Sequence, residues 1–211
     1  MELADLIVEL KRTIEFSLFL GSGATVSGGE PTGNQLLQAI RRIHNGDLDN
    51  LSFFETFDKI IESNNSNRAV IEDEVRDILS SIATTDIHRY LFSLPVRTVI
   101  TTNYDRIPEL VSTTLDGNRS IITVSDTAIP IDLKRQDRLY CFKLFGDVTK
   151  SAPDQGYMVL NNTDRRRAYS RQKNLFKLFG SLARSGIIVY LGYSFDDELV
   201  FDILEDMLFE N

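Results

Sequence analysis

The stretch of sequence that decides the fold is Val99-Ile100-Thr101-Thr102-Asn103-Tyr104-Asp105, near the middle of the chain. It begins as a run of β-branched residues, which is the composition of a buried strand. It ends in small polar side chains, led by Asn103 and Asp105. Because open α/β sheets place their ligand sites at the carboxyl ends of the strands, this stretch predicts a site at that edge.

Three other apolar runs end in the same way, in loops of glycine and small polar residues. With the first stretch, these loops cover residues 21–25, 101–105, 145–149 and 192–197. Predicted strands alternate with amphipathic helices along the chain, which indicates an α/β fold with a parallel sheet and helices on both faces. In such a sheet all four loops lie at one edge, so we expect them to form one site.

The loop at 21–25, here called the glycine turn, joins the predicted strand Ile14–Leu20 to a helix. Thr32 and Gln35 have the spacing of a helix-capping box at the start of that helix. A strand, a glycine-rich turn and a capped helix place backbone N–H groups against a phosphate. The full GxGxxG pattern is incomplete, because Val26 stands where its third glycine would be. The turn alone is therefore a weak signal.

Residues 47–94 are predicted to be helical and to form an insertion between the first two strands of the sheet, one that can serve as a lid. Its clearest signal is an apolar stripe at Ile71, Val75, Ile78 and Ile82. Later strands are expected at Ile121–Val124, Leu139–Phe145 and Ile187–Leu191. For residues 157–160 the sequence leaves two alternatives, a loop and a strand. Terminal helices are expected at residues 2–12 and 199–209.

The composition argues against several classes of function. A net charge of −8 disfavours nonspecific nucleic-acid binding, so we expect no direct nucleic-acid partner. One cysteine, Cys141, cannot form an internal disulfide or a cysteine-rich zinc site, and no metal is expected. The chain has neither an 18-residue apolar run nor a signal peptide, so the expected location is cytoplasmic. Because it stops directly after a predicted helix, we expect residues 1–211 to be one domain at the N-terminal end of a longer chain.

The four loops together resemble motifs of the SIR2-like family. The residues that carry the resemblance are Gly21-Ser22-Gly23-Ala24-Thr25, Thr101-Thr102-Asn103-Tyr104-Asp105, Lys143-Leu144-Phe145-Gly146-Asp147 and Gly192-Tyr193-Ser194-Phe195-Asp196-Asp197. Their order and spacing cover about residues 14–205. The likeness is to the bacterial antiphage-defence branch rather than to the zinc-bearing protein deacylases.

This resemblance implies a Rossmann-like fold that binds NAD. It also implies hydrolysis of NAD⁺ to nicotinamide and ADP-ribose in bacterial antiviral defence, of the abortive-infection type. Defence members are usually switched on by a partner or by assembly. The expected partners are therefore NAD, a defence protein such as an ATPase, translocase or Argonaute-like protein, and further copies of the chain, with no membrane.

The resemblance further implies roles for individual residues. Asn103 falls at the catalytic centre, with Asp105 beside it. The implied contacts to NAD are made by Gly21, Ser22, Gly23, Ala24 and Thr25 at the diphosphate, by Gly192, Tyr193 and Ser194 on the adenosine side, and by Thr102, Asn103, Asp105 and Gly146.

The third motif departs from the family at one position. The family normally has Lys-Leu-His-Gly, with the histidine as general base, whereas this chain has Phe145. Phenylalanine cannot accept a proton, and His88 occupies a position where the family often has a histidine that is not the base. Three interpretations stay open: a silent or slowed enzyme, an enzyme that uses the carboxylate of Asp105 or Asp147, and an engineered substitution. A binding module that holds NAD or ADP-ribose without turnover is the alternative function; protein deacylation is a weaker one, because zinc cysteines and the base are both missing.

Overall fold

The computed structural model describes residues 16–29, 31–44, 47–63, 68–113, 120–124, 137–150, 158–171, 173–195, 200–201 and 205. The predicted helix at 2–12 lies outside these residues, as do most of the helix at 199–209 and the acidic pair Asp196-Asp197. In the part that is described, no helix is both long and apolar enough to cross a membrane.

Five parallel strands form one sheet, in the order β3-β4-β2-β1-β5. The strands are Phe16–Leu20 (β1), Val96–Thr101 (β2), Ser120–Val124 (β3), Arg138–Lys143 (β4) and Ile188–Leu191 (β5). The chain passes from β1 to β2 on one side, and β5 returns to the other side of β1. The direction of strand addition therefore reverses at β1, which is where ligand crevices form in such sheets. The predicted α/β, Rossmann-like class is confirmed.

Seven helices accompany the sheet within the described residues. They are Gly33–Ile43 (α1), Phe53–Ser63 (α2), Arg68–Leu79 (α3), Asp86–Ser93 (α4), Ile107–Ser112 (α5), Asn162–Arg171 (α6) and Lys173–Ser185 (α7). The insertion predicted between the first two strands contains α2, α3 and α4. Its apolar stripe faces the core, since Ile71 and Val75 are fully buried and Ile82 nearly so.

The carboxyl ends of the central strands are level with one another. Thr101 pairs with Leu20 on one side and with Lys143 on the other, while Leu20 also pairs with Leu191. The loops that follow β1, β2, β4 and β5 therefore lie at a single edge, as predicted, and we call it the carboxyl edge. The strands β1 and β4 are almost wholly buried, which explains their continuous apolar sequence.

One strand prediction needs correction, and one open alternative is decided. Strand β4 ends at Lys143 rather than at Phe145: the Leu144 N–H makes the last bond to β2, donating to the Thr101 carbonyl oxygen (2.8 Å), and the chain turns at residues 144–145. Of the two alternatives open for residues 157–160, the structure supports the loop, because residues 158–160 are buried but do not form a strand. This segment is tied instead to the site loops, since the Val159 N–H donates to the Phe145 carbonyl oxygen (2.8 Å).

The loops after β1 and β5 meet backbone to backbone, at a distance that only glycine allows. A Cβ atom on Gly21 would lie 2.4 Å from the Gly192 carbonyl oxygen, and one on Gly192 would lie 2.1 Å from the Ala24 nitrogen. Gly192 also has a φ of +63°, in the left-handed region. Both glycines are therefore required by the contact between the two loops.

We expect Gly192→Ala to destabilise the fold by more than Gly29→Ala does. Both positions have a positive φ, so each alanine costs about 1–2 kcal/mol of backbone strain. No atom lies within 4 Å of a Cβ on Gly29, whereas Gly192→Ala also forces two backbones apart. The clash adds about 1–3 kcal/mol, measurable as the difference in free energy of unfolding in urea. Equal losses in the two variants would contradict the close contact.

Candidate functional site

Asn103 lies directly beyond the carboxyl end of β2, with 7% of its surface exposed. Its N–H donates to Thr101 Oγ1 (3.0 Å), and its carboxamide Nδ2 donates to Thr25 Oγ1 (3.3 Å). The Thr25 hydroxyl in turn donates to the Ser22 carbonyl oxygen (3.0 Å). The structure thus joins the predicted catalytic residue directly to the glycine turn.

Most backbone N–H groups of the glycine turn already donate hydrogen bonds to backbone carbonyl oxygens. Gly21 and Gly23 donate their N–H groups to the carbonyl oxygens of Leu191 and Gly192 (2.9 and 3.0 Å). The N–H groups of Ala24 and Thr25 donate within the turn (3.0 and 3.2 Å). Four of its five amides are therefore engaged, and a phosphate that used them would have to replace these bonds.

Beyond the glycine turn the chain enters α1 through a capped terminus. The Gln35 N–H donates to Thr32 Oγ1 (3.3 Å), and the Thr32 N–H donates to Gln35 Oε1 (2.8 Å). This is the capping box that the sequence predicted. The Gly33 N–H donates to Ser22 Oγ (3.3 Å), which fixes the hydroxyl group of the turn against the start of the helix.

A buried cation joins the loops after β2 and β4. The Lys143 side chain is fully buried, and its Nζ donates to the Asp105 carbonyl oxygen (2.6 Å) and to Glu109 Oε1 (2.9 Å). The same Nζ lies 3.1 Å from Asp147 Oδ2. Burial alone would lower the pKa of Lys143, but the nearby carboxylates of Glu109, Asp147 and Asp105 raise it above its usual value. The ammonium group therefore stays charged.

Both carboxylates considered as substitute bases are buried and bonded. Asp105 Oδ1 accepts the N–H of Ile107 (2.7 Å), at the start of α5. Asp147 Oδ1 accepts both the N–H and the hydroxyl of Thr149 (2.8 Å each). These contacts hold each side chain in its own loop and account for one oxygen of each carboxylate.

Phe145 is buried, with 3% of its surface exposed, and packs against the insertion. Its ring meets that of Phe54 edge to face, with centroids 6.3 Å apart, and the Arg165 guanidinium lies 5.4 Å from the centroid of the Phe54 ring. The following residue, Gly146, has a φ of +95°, which allows the sharp turn after the phenylalanine. At this position the chain therefore has an apolar contact between the loop after β4 and α2.

The residues predicted for the adenosine side contribute to the site mainly through their backbones. Gly192 and Tyr193 lie against Gly21, as the glycine contacts show. The Tyr193 ring packs on Phe19 of β1, with centroids 4.7 Å apart, so its aromatic face is used in the core. Ser194 is exposed and Thr102 is half-buried.

Sequence reasoning gave no role to Lys143 or to Arg76 of the insertion. The Arg76 guanidinium donates to the carbonyl oxygens of Val148 (3.0 Å) and Lys150 (2.9 Å), and so holds the loop after β4. The signal for Lys143 was a lone cation inside the apolar run Leu139–Phe145, since a charge in a buried strand needs partners. No comparable local signal marks Arg76.

We expect Lys143→Met to lower the free energy of unfolding by about 3–5 kcal/mol, because it leaves buried carboxylates without their cation. Lys177→Met, on the exposed surface of α7, is the matched control and should stay within about 0.5 kcal/mol of the unmodified protein. Both are measured by urea unfolding. Adding Asp147→Asn to Lys143→Met should recover part of the lost free energy of unfolding. If the double variant is instead less stable than Lys143→Met, the unpaired charge is not the cause of the loss.

Comparison with known proteins agrees with the resemblance carried by the four loops. Residues 97–211 match the family model described as SIR2-like domain. Over 197 residues the chain is 26% identical to the NAD(+) hydrolase ThsA of Acinetobacter baumannii (strain 532279), an alignment that covers 92% of this chain and 39% of that protein. The chain therefore spans well under half the length of that relative. With the match to more than half of its residues and the parallel sheet described above, this chain belongs to the SIR2-like family.

Proposed function

We propose that this chain is the NAD-binding domain of a SIR2-like NAD⁺ hydrolase, which cleaves NAD⁺ to nicotinamide and ADP-ribose. The observation that carries the proposal is the hydrogen bond between Asn103 and Thr25, because it places the predicted catalytic carboxamide against the glycine turn at β1. The strand order reverses at β1, the position at which such sheets bind nucleotides. Similarity to a protein named as an NAD(+) hydrolase supports the same assignment.

The reaction needs no general acid, but it needs the reacting groups to be held in position. Cleavage of the nicotinamide–ribose bond builds positive charge on the ribose, as in glycoside hydrolysis, and nicotinamide leaves as a neutral molecule. Asn103 is suited to orient a ribose hydroxyl or a water molecule through its carboxamide. The carboxylates of Asp105, Glu109 and Asp147 outnumber the Lys143 cation beside them, and this surplus of negative charge favours a cationic transition state.

The missing base supports a second candidate function. Phe145 cannot activate water, and the Asp105 and Asp147 carboxylates are bonded to their own loops. A domain of this kind would hold NAD or ADP-ribose without turnover and act in the regulation or assembly of a defence complex. Phe145 is the observation that favours this candidate, whereas Asn103 and the glycine turn favour hydrolysis.

The biological setting of both candidates is bacterial antiviral defence in the cytoplasm. We propose that activity is switched on by a partner protein, such as an ATPase, translocase or Argonaute-like protein, or by self-association. The basis is the resemblance to defence members of the family, together with the similarity to an NAD(+) hydrolase. We further propose that residues 1–211 form the N-terminal domain of a longer protein, since they align with only 39% of that relative.

We expect Asn103→Ala to reduce NAD⁺ turnover by about 10²–10³-fold, as the loss of one catalytic donor does elsewhere. Nicotinamide release by the intact protein with its partner is the measurement, and NAD affinity is determined alongside it. Asn174→Ala, an exposed asparagine on α7, is the control and should leave both quantities unchanged. Turnover that survives in Asn103→Ala would remove Asn103 from the proposed mechanism.

We expect Phe145→His to raise nicotinamide release by on the order of 10²–10⁴-fold, because it restores a general base. Phe145→Asn is the matched control, since asparagine is polar but does not titrate near neutral pH. If nicotinamide release is undetectable in the unmodified protein and rises only in Phe145→His, the natural protein is the silent binding module. If the unmodified protein fails to bind NAD at all, both candidate functions are wrong.

A further inference from the structure

His88 belongs to α4 of the insertion and is almost completely buried, with 1% of its surface exposed. The Thr85 N–H donates to its Nδ1 (3.1 Å), as a glutamate or glutamine does at the third position of a helix in a capping box. A ring nitrogen that accepts a hydrogen bond carries no proton. In the neutral imidazole the proton therefore resides on Nε2.

The Nε2–H group faces the segment Ala24–Gly28, which continues from the glycine turn. Nε2 lies 3.3 Å from Ser27 Oγ, within hydrogen-bonding distance. Ser27 Oγ also lies 3.2 Å from Thr85 Oγ1, which closes a small network between turn and insertion. Both ring nitrogens are thus engaged, so His88 has no lone pair directed at a water molecule in the site.

The same two segments meet a second time through main-chain atoms. The Ala83 N–H donates to the Gly28 carbonyl oxygen (2.9 Å). A Cβ atom on Gly28 would lie 2.2 Å from the Ala83 carbonyl oxygen and 2.9 Å from His88 Cε1. The imidazole can therefore pack on this segment only because residue 28 has no side chain.

We propose that neutral His88 is a positioning residue of the candidate site, which holds the segment Ala24–Gly28 in register with the insertion. Thr25 lies in this segment, and its hydroxyl oxygen accepts a hydrogen bond from the Asn103 carboxamide. A shift of the segment would therefore displace the group against which Asn103 is oriented. The inference rests on the proposed function, because it assigns His88 to the same NAD site.

Protonation would oppose this arrangement. Burial lowers the pKa of His88 below its usual value of 6.5, and Arg89 on the same helix adds to the effect, while the Ala24 backbone and the Asp105 carboxylate partly oppose it. A proton on Nδ1 would also face the Thr85 N–H, so two donors would meet. Because the folded form favours the neutral ring, the stabilising contribution is complete above pH 6.5 and is lost as the pH falls through the lowered pKa.

The test compares His88→Gln, His88→Ala and the unmodified protein by calorimetric titration with NAD between about pH 5 and 8. Glutamine keeps one acceptor and one donor but does not titrate. We expect the unmodified protein to lose about tenfold in NAD affinity toward pH 5, the size of a typical coupling between two sites. His88→Gln should bind with a flat profile, and His88→Ala should bind weakly at every pH.

The second histidine of the chain supplies the control. His44, at the end of α1, lies 2.7 Å from Glu74 of α3. Since the chain has two histidines, His44→Gln removes the only other imidazole, and the acid-dependent loss of affinity should persist. The proposal would be overturned if the loss of NAD affinity toward low pH disappeared in His44→Gln but remained in His88→Gln.

Hydrogen exchange separates failure of this inference from failure of the proposed function. We expect amide protection in residues 22–28 to fall in His88→Ala and to be kept in His88→Gln, without any ligand present. Unchanged protection in His88→Ala would overturn the positioning role of His88. If protection changes as expected while the unmodified protein does not bind NAD, the contact stands and the proposed function fails.

Discussion

The Lys143 ammonium group is surrounded by three acidic residues at the carboxyl edge of the sheet, with no exposed surface of its own. It bonds to the backbone of Asp105 on one loop and to the carboxylate of Asp147 on the next. A buried charge costs several kcal/mol unless its partners are held in good geometry. The loops after β2 and β4 are therefore bonded to one another, and the positions of Asn103 and Phe145, each two residues from a member of this cluster, depend on it.

Much of the sheet could be predicted because its signals are local. The β-branched run of β2 and the capping box of Thr32 and Gln35 lie within single segments, and the structure agrees with both. The end of β4 was misplaced because Leu144 and Phe145 are as apolar as the strand before them. The turn at residues 144–145, ahead of the positive φ of Gly146, ends β4, and the apolar pattern gives no sign of it.

The meeting of the four loops at one edge could be predicted, but the bonds that connect them could not. Family motifs identified Asn103 and the glycine turn, yet the bond from Asn103 to Thr25 joins residues 78 positions apart. His88 illustrates the same limit. A threonine followed three residues later by histidine does not match the usual capping box, in which glutamate or glutamine occupies that place. Its contact with Ser27, 61 positions away, depends on how the insertion packs against the sheet.

The position of β1 in the sheet has a consequence for how the protein acquires its fold. Its neighbours are distant in the chain: the side chains of Ser17 and Thr98 bond across 81 positions, and β5 begins only at Ile188. Pairings of this kind close long loops and slow folding. During synthesis, β1 leaves the ribosome first and has both edges unpaired until β2 and β5 follow. The amides of Gly21 and Gly23 find their carbonyl partners on Leu191 and Gly192. The glycine turn is thus synthesised before the other three site loops but is completed only after β5.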